Sequence, residues 1–177
     1  IVSAWLVASS GSPGLTVSVL AGLGVGLALG AVNGLLVARF SVPPFVATLG
    51  MLSAARGFTY IFNDGMPVSD LPPAFLAIGE ARIGGVPLPI VIFAAVVACF
   101  WFVLRYTIYG RYIYAVGGNV KSAKTSGIGT RKVVFAVYAV SGLLAGLAGI
   151  LLAARTTAAL PQAGVSYELD AIAAVVI

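Results

Sequence analysis

Apolar residues fall into long runs along this chain, with the polar residues gathered between them. Four runs lie at about 15–38, 43–62, 86–104 and 133–154, and a fifth starts near Asp170 and continues to Ile177. Each of the four approaches the roughly 20 residues that a helix rising about 1.5 Å per residue needs to cross the hydrocarbon core of a bilayer. Pro43 and Pro44 open the second run, and Pro87 and Pro89 the third, positions at a helix start where a missing N–H costs little. The intervening segments are a short link at 39–42, a loop at 63–85 with Pro67, Pro72 and Pro73, a basic loop at 105–132 and a polar stretch at 155–168. The pattern predicts an all-α fold, a polytopic transmembrane helical bundle forming a single membrane domain over 1–177. Because Ile1 opens the chain and its last apolar run is cut at Ile177, the expectation is a fragment, incomplete at both ends. Residues 1–10 read as the tail of an earlier span, and no signal peptide is identifiable.

Composition narrows the chemistry. Only 8% of the residues are charged and 60% are hydrophobic, against roughly 25% charged in a soluble domain, which excludes a water-soluble globular protein. With no histidine and one cysteine, Cys99, most metal centres, an internal disulfide and histidine-dependent catalysis are excluded. No acid lies inside the first four spans, which removes an aspartyl protease and disfavours a carboxylate proton relay. The nearest approach to a phosphate loop, Gly117 to Ser122, lacks the glycine required before its lysine, so any ATP is expected on a partner. No catalytic residue, metal ligand or cofactor is expected in the chain itself.

The formal net charge of +5 is unevenly spread. Arg105, Arg111, Lys121, Lys124, Arg131 and Lys132 share one loop that holds no acid, and the positive-inside rule makes loop 105–132 cytoplasmic, with Arg39 on the same side. Asp64, Asp70, Glu80, Arg82, Arg155 and Glu168 then fall outside. In a chain this apolar the basic loop reads as a topology signal rather than a nucleic-acid patch.

Within the first span Gly22, Gly26, Gly30 and Gly34 recur every fourth residue, a side-chain-free stripe along one helix face. Gly142, Gly146 and Gly149, with Ala145 and Ser141, give the fourth span a similar face, so the two are candidates to pack together, either as static helix contacts or as a moving contact in a transporter. Asn33 and Arg56 stand out at membrane depth, where an amide or guanidinium is costly unless it meets protein or water. Arg56 either snorkels or bonds a carbonyl, or it lines a polar pathway; Asn33 is the other pathway candidate. In the basic loop Asn119 suits an N-cap, Val120 to Ser126 a helix of about two turns and Gly127 a left-handed C-cap. A helix so short needs something to pack on, and a partner protein is the natural candidate. Lys121 and Lys124 face either that partner or anionic headgroups.

Several strings, in order, carry a resemblance: Phe40 to Gly50 (FSVPPFVATLG) followed by Ala55-Arg56-Gly57, Gly110 to Asn119 (GRYIYAVGGN), Ser126-Gly127-Ile128, Ser141 to Gly149 (SGLLAGLAG) and Tyr167 to Ile177 (YELDAIAAVVI). Together they resemble the permease subunits of ATP-binding-cassette (ABC) importers of the ribose and xylose type. The resemblance implies a type II importer fold, a second permease subunit, most simply a homodimer, a cytoplasmic ATPase and an extracytoplasmic sugar-binding protein, in a bacterial-type cytoplasmic membrane. It also implies that Gly118, Asn119, Ala123, Ser126 and Gly127 form the coupling helix that docks on the ATPase. Ser122 and Thr125 depart from the family's usual alanine and leucine there. The implied function is import of a monosaccharide; an ion-coupled transporter or channel, or a permease for branched-chain amino acids, are the alternatives. Glu168 and Asp170 are placed to meet the dipole of a helix N-terminus, or to take part in gating or in contact with the binding protein.

Overall fold

A computed structural model describes residues 1–10, 14–69 and 71–176. Asp70, expected on the acidic side, and Ile177, the end of the fifth run, lie outside the described residues. Each long apolar run forms a helix: α2 (Leu15–Phe40), α3 (Pro44–Phe62), α5 (Leu88–Tyr106) and α8 (Thr130–Arg155), with α1 (Val2–Ser10) before them and α9 (Tyr167–Val176) after. All four are long and apolar enough to cross a membrane. At about 1.5 Å per residue the 26 residues of α2 and of α8 reach roughly 39 Å, beyond the roughly 30 Å of a hydrocarbon core.

The prolines set the starts. Pro44 opens α3 and Pro89 sits in the first turn of α5, each after a proline in the N-cap position. The first span ends at Ser41, whose backbone is left-handed at φ 57° and whose N–H donates to the Leu36 carbonyl, and the chain turns at once into α3.

Two segments differ from the sequence expectation. Loop 63–85 holds α4 (Pro73–Glu80) and a hairpin of β1 (Arg82–Ile83) and β2 (Val86–Pro87), closed by Gly84 and Gly85, both at positive φ as a tight two-residue turn demands. Helix α4 is stable despite its eight residues because Phe75 is fully buried and Gly79 lies on the backbone of Ala154. The basic loop holds α6 (Ile108–Gly118) before α7 (Val120–Thr125). Gly117 and Gly118, though poor helix formers, complete α6, because Gly110, Ile113 and Val116 hold its inner face on neighbouring elements and tertiary contact outweighs glycine's poor propensity.

The dominant contact is α2 against α8. Gly22 faces Ile150, Gly26 faces Gly142 and Gly146, and Gly34 faces Phe135 and Tyr138, so the helices run antiparallel. At one end of this pair Ala4, Val7, Val68, Leu71, Phe75, Ile150, Ala153, Ala154 and Ala159 form a buried cluster; at the other, Val116, Ala123 and Val133 form a smaller one. Val68 and Ala159 bridge their loops through N–H···O bonds of 3.0 and 2.9 Å. Elsewhere the spans keep their side chains outward. Helix α5 buries none of its residues, and Ile61 and Phe93 stand open on α3 and α5, as expected of helices whose surroundings are lipid or further protein rather than water.

Candidate functional site

Helix α7 is capped at both ends by its own sequence. The Asn119 side-chain oxygen accepts from the Lys121 N–H at 3.0 Å and the Ser122 N–H at 3.1 Å, so two amides that would lack partners are satisfied. At the far end Gly127 is left-handed at φ 80°; its N–H donates to the Lys124 carbonyl at 3.1 Å, and the Ile128 N–H donates to the Ala123 carbonyl at 3.0 Å. This pair of reverse bonds is the glycine-dependent helix stop of a Schellman motif. Ala123 alone of the helix is buried, against Val116 and Val133, with Ile113 and Ile128 around it.

Gly118, Asn119, Ala123, Ser126 and Gly127 are thereby gathered into one small element, anchored at Ala123 and exposed elsewhere. The Ser126 hydroxyl donates to the Ser122 carbonyl at 3.0 Å, and the Thr125 hydroxyl to the same oxygen at 2.9 Å. Lys121, Ser122, Lys124 and Thr125 point away from the bundle, so the two departures from the family pattern lie on the outward face.

The two intramembrane polar candidates part company. A cavity of about 630 Å³ opens between α2, α3 and α8, with α1 at one end, and Ser3, Asn33, Thr48, Thr59, Tyr138 and Ser141 supply its polar lining. The Asn33 side-chain oxygen is buried and accepts no hydrogen bond among the described residues. Thr48 and Thr59 donate to carbonyls of their own helix, Pro44 and Ala55, which fixes their rotamers and leaves an oxygen lone pair for the cavity. Arg56 is half-buried on α3 and does not line this cavity. Gly22, Gly26, Gly30, Gly142 and Gly146 form the cavity floor, whereas Gly34 lies beyond it toward Phe135. Sequence reasoning missed Tyr138, Thr48 and Thr59 as lining residues; hydroxyls recurring inside otherwise apolar spans were the available signal. It also missed Ser18, whose hydroxyl is buried with no partner among the described residues.

The profile of the family described as branched-chain amino acid transport system / permease component matches residues 1–177. The chain belongs to that permease family. The ribose import permease protein of Haemophilus influenzae is 45% identical over 157 residues, which is 86% of this chain and 49% of the relative. That of Escherichia coli strain K12 is 46% identical over 165 residues, 91% of this chain and 51% of the relative. The D-allose transport system permease protein of the same strain is 39% identical over 160 residues, 90% of this chain and 49% of the relative. The permease chain thus spans about half the length of the curated relatives it matches. No solved structure matches it significantly.

Family membership and the four apolar helices make this a multi-pass membrane protein. Its charges separate along the bundle axis. Arg39 ends α2 at the end where α8 begins with Arg131 and Lys132, beside α6 and α7 with Arg111, Lys121 and Lys124. Arg155, at the opposite end of α8, shares a smaller cavity with Glu80 and Arg82.

Proposed function

We propose that this chain forms part of a permease subunit that carries a monosaccharide across a bacterial cytoplasmic membrane, driven by an ATPase on a separate chain. Its similarity to sugar permeases over most of its own length is the observation that carries this function. The binding protein that delivers the sugar, the second permease copy and the ATPase belong to the same proposal.

Helix α7 is the proposed contact with the ATPase. Its preorganised caps hold it in shape without a partner, and its single buried residue leaves almost its whole surface for docking. The basic end of the bundle, with α7, faces the cytoplasm by the positive-inside rule. ATP-driven movement at α7 passes to α8 and through the glycine contact to α2, opening and closing the polar path in alternation. The chain's own part is shape and displacement, with Asn33 offering a hydrogen-bond acceptor along the route and no bond made or broken.

Transport by the full-length permease, reconstituted with its ATPase and binding protein, tests this. Labelled ribose should be taken up only with ATP, and uptake should stop when Asn119 to Gly127 is replaced by alanines. Uptake competed by leucine rather than by sugars would assign the permease to amino acids, as the family description also allows. Uptake driven by an ion gradient without ATP would overturn the importer assignment.

A further inference from the structure

Helix α6 has an outer face that neither water nor hydrocarbon suits. Gly110, Ile113 and Val116 turn inward, with Ala115 packed at the edge of the same cluster; Ile108, Arg111 and Tyr112, spaced at i, i+3 and i+4, share the opposite side, with Tyr114 beside them. Ile108 is 59% exposed, Tyr112 39% and Tyr114 66%. Large apolar bodies with phenol tips, interleaved with a guanidinium, match the headgroup layer of a bilayer, where aromatic rings sit at the polar boundary and cations meet phosphates.

The corner leading into α6 supports that depth independently. Trp101 and Phe102 meet the Tyr106 ring at centroid distances of 5.7 and 5.3 Å, an exposed aromatic group at the end of α5, with Arg105 beside it. Thr107 then turns the chain: its hydroxyl donates to the Val103 carbonyl at 2.6 Å and accepts from the Gly110 N–H at 3.2 Å. Gly110 meets the backbone of Leu104, so α6 starts hard against the last turn of α5, at the level of the aromatic group. Segment 105–132 carries six cations and no acid, which favours an anionic partner.

We propose that α6 lies in the headgroup layer and that Arg105 and Arg111, framed by Tyr106, Tyr112 and Tyr114, hold the phosphate of an anionic phospholipid. The occupant is lipid rather than the ATPase proposed for α7, because the face carries tyrosine and isoleucine at the level where α5 leaves the hydrocarbon. A cation near an anionic surface contributes about 1 kcal/mol, or about fivefold in affinity. Trp101 precedes Arg105 by one helical turn and shares its face, so an acyl chain beneath a headgroup at Arg105 passes Trp101.

The test uses the full-length permease in bilayers of brominated phosphatidylglycerol or brominated phosphatidylcholine, reading the quenched fluorescence that disappears in a Trp101→Phe variant. Phosphatidylglycerol should displace phosphatidylcholine near Trp101 with a clear preference. That preference should fall about fivefold for each of Arg105→Gln and Arg111→Gln, return with Arg105→Lys and Arg111→Lys, and survive Lys121→Gln with Lys124→Gln. Equal quenching by the two lipids in the wild type would overturn the proposal, as would a preference unchanged in the glutamine variants. Loss of ATPase co-purification on Arg105→Gln with Arg111→Gln, with the lipid preference intact, would reassign the face to protein docking. None of these readouts requires transport, so the proposal can fail while the importer function stands.

Discussion

Gly26 and Gly142 meet backbone to backbone: a β-carbon on Gly26 would stand 2.5 Å from the Gly142 carbonyl oxygen, and one on Gly142 would collide with the Gly26 carbonyl in return. No side chain at this crossing can move aside. Small residues do this in membrane bundles because close helix approach gains dispersion contact where the hydrophobic effect between helices is weak.

Gly26→Ala or Gly142→Ala in the full-length permease should destabilise it by at least the roughly 1–3 kcal/mol typical of overpacking, because backbone rather than a flexible side chain must give way. Gly24→Ala, with nothing near its added carbon, should be neutral or stabilising by up to about 1 kcal/mol. Thermal melting in detergent compares them, and equal melting temperatures for Gly24→Ala and Gly26→Ala would refute the assignment.

At α7 the caps can be removed singly. Asn119→Ala should cost about 1 kcal/mol locally, seen as faster hydrogen exchange at the Lys121 and Ser122 amides, whereas Asn119→Asp should retain protection. Under the proposed function the alanine variant should also weaken ATPase co-purification.

Gly127→Ala places a side chain at φ 80° in open space, so its whole cost is backbone strain, about 1–2 kcal/mol. Gly118→Ala, also in open space and without a positive φ, should be tolerated. Exchange rates across α7 should separate the two, and similar rates would show that the left-handed stop is dispensable.

Asn33 allows stability and transport to be pulled apart. Replacing this amide, whose buried oxygen has no partner among the described residues, with leucine should leave the melting temperature equal or higher, since an unsatisfied buried polar group costs about 1–3 kcal/mol. If the proposed path runs past Asn33, sugar uptake by the same variant should fall several-fold. A fall in both would make Asn33 a structural hydrogen-bonding residue of the complete protein instead.

Much of this was legible from local chemistry. Pro43, Pro44, Pro87 and Pro89 mark helix starts whatever surrounds them, and Asn119 and Gly127 bracket α7 because capping is set within a few residues. The four-residue glycine period announced a close contact and even named its partner helix. The sequence could not reveal α4, because its eight residues are held by Phe75 and Gly79 against Ala154, a contact between positions far apart in the chain. Nor could it show that α6 runs through Gly117 and Gly118, or that Asn33 reaches the cavity and Arg56 does not, since these depend on how α3 and α6 are rotated against their neighbours.

The reverse bond from Ile128 to Ala123 ends two residues before α8 begins, and α8 meets α2 backbone to backbone around Gly26, Gly30, Gly142 and Gly146. The two helices therefore behave as one stiff lever about 39 Å long, and a tilt of about 5° around one end sweeps the other through roughly 3 Å. Under the proposed function, a push at α7 would swing that lever rather than squeeze soft contacts, and the stroke length would be set by how far α7 stands from the pivot.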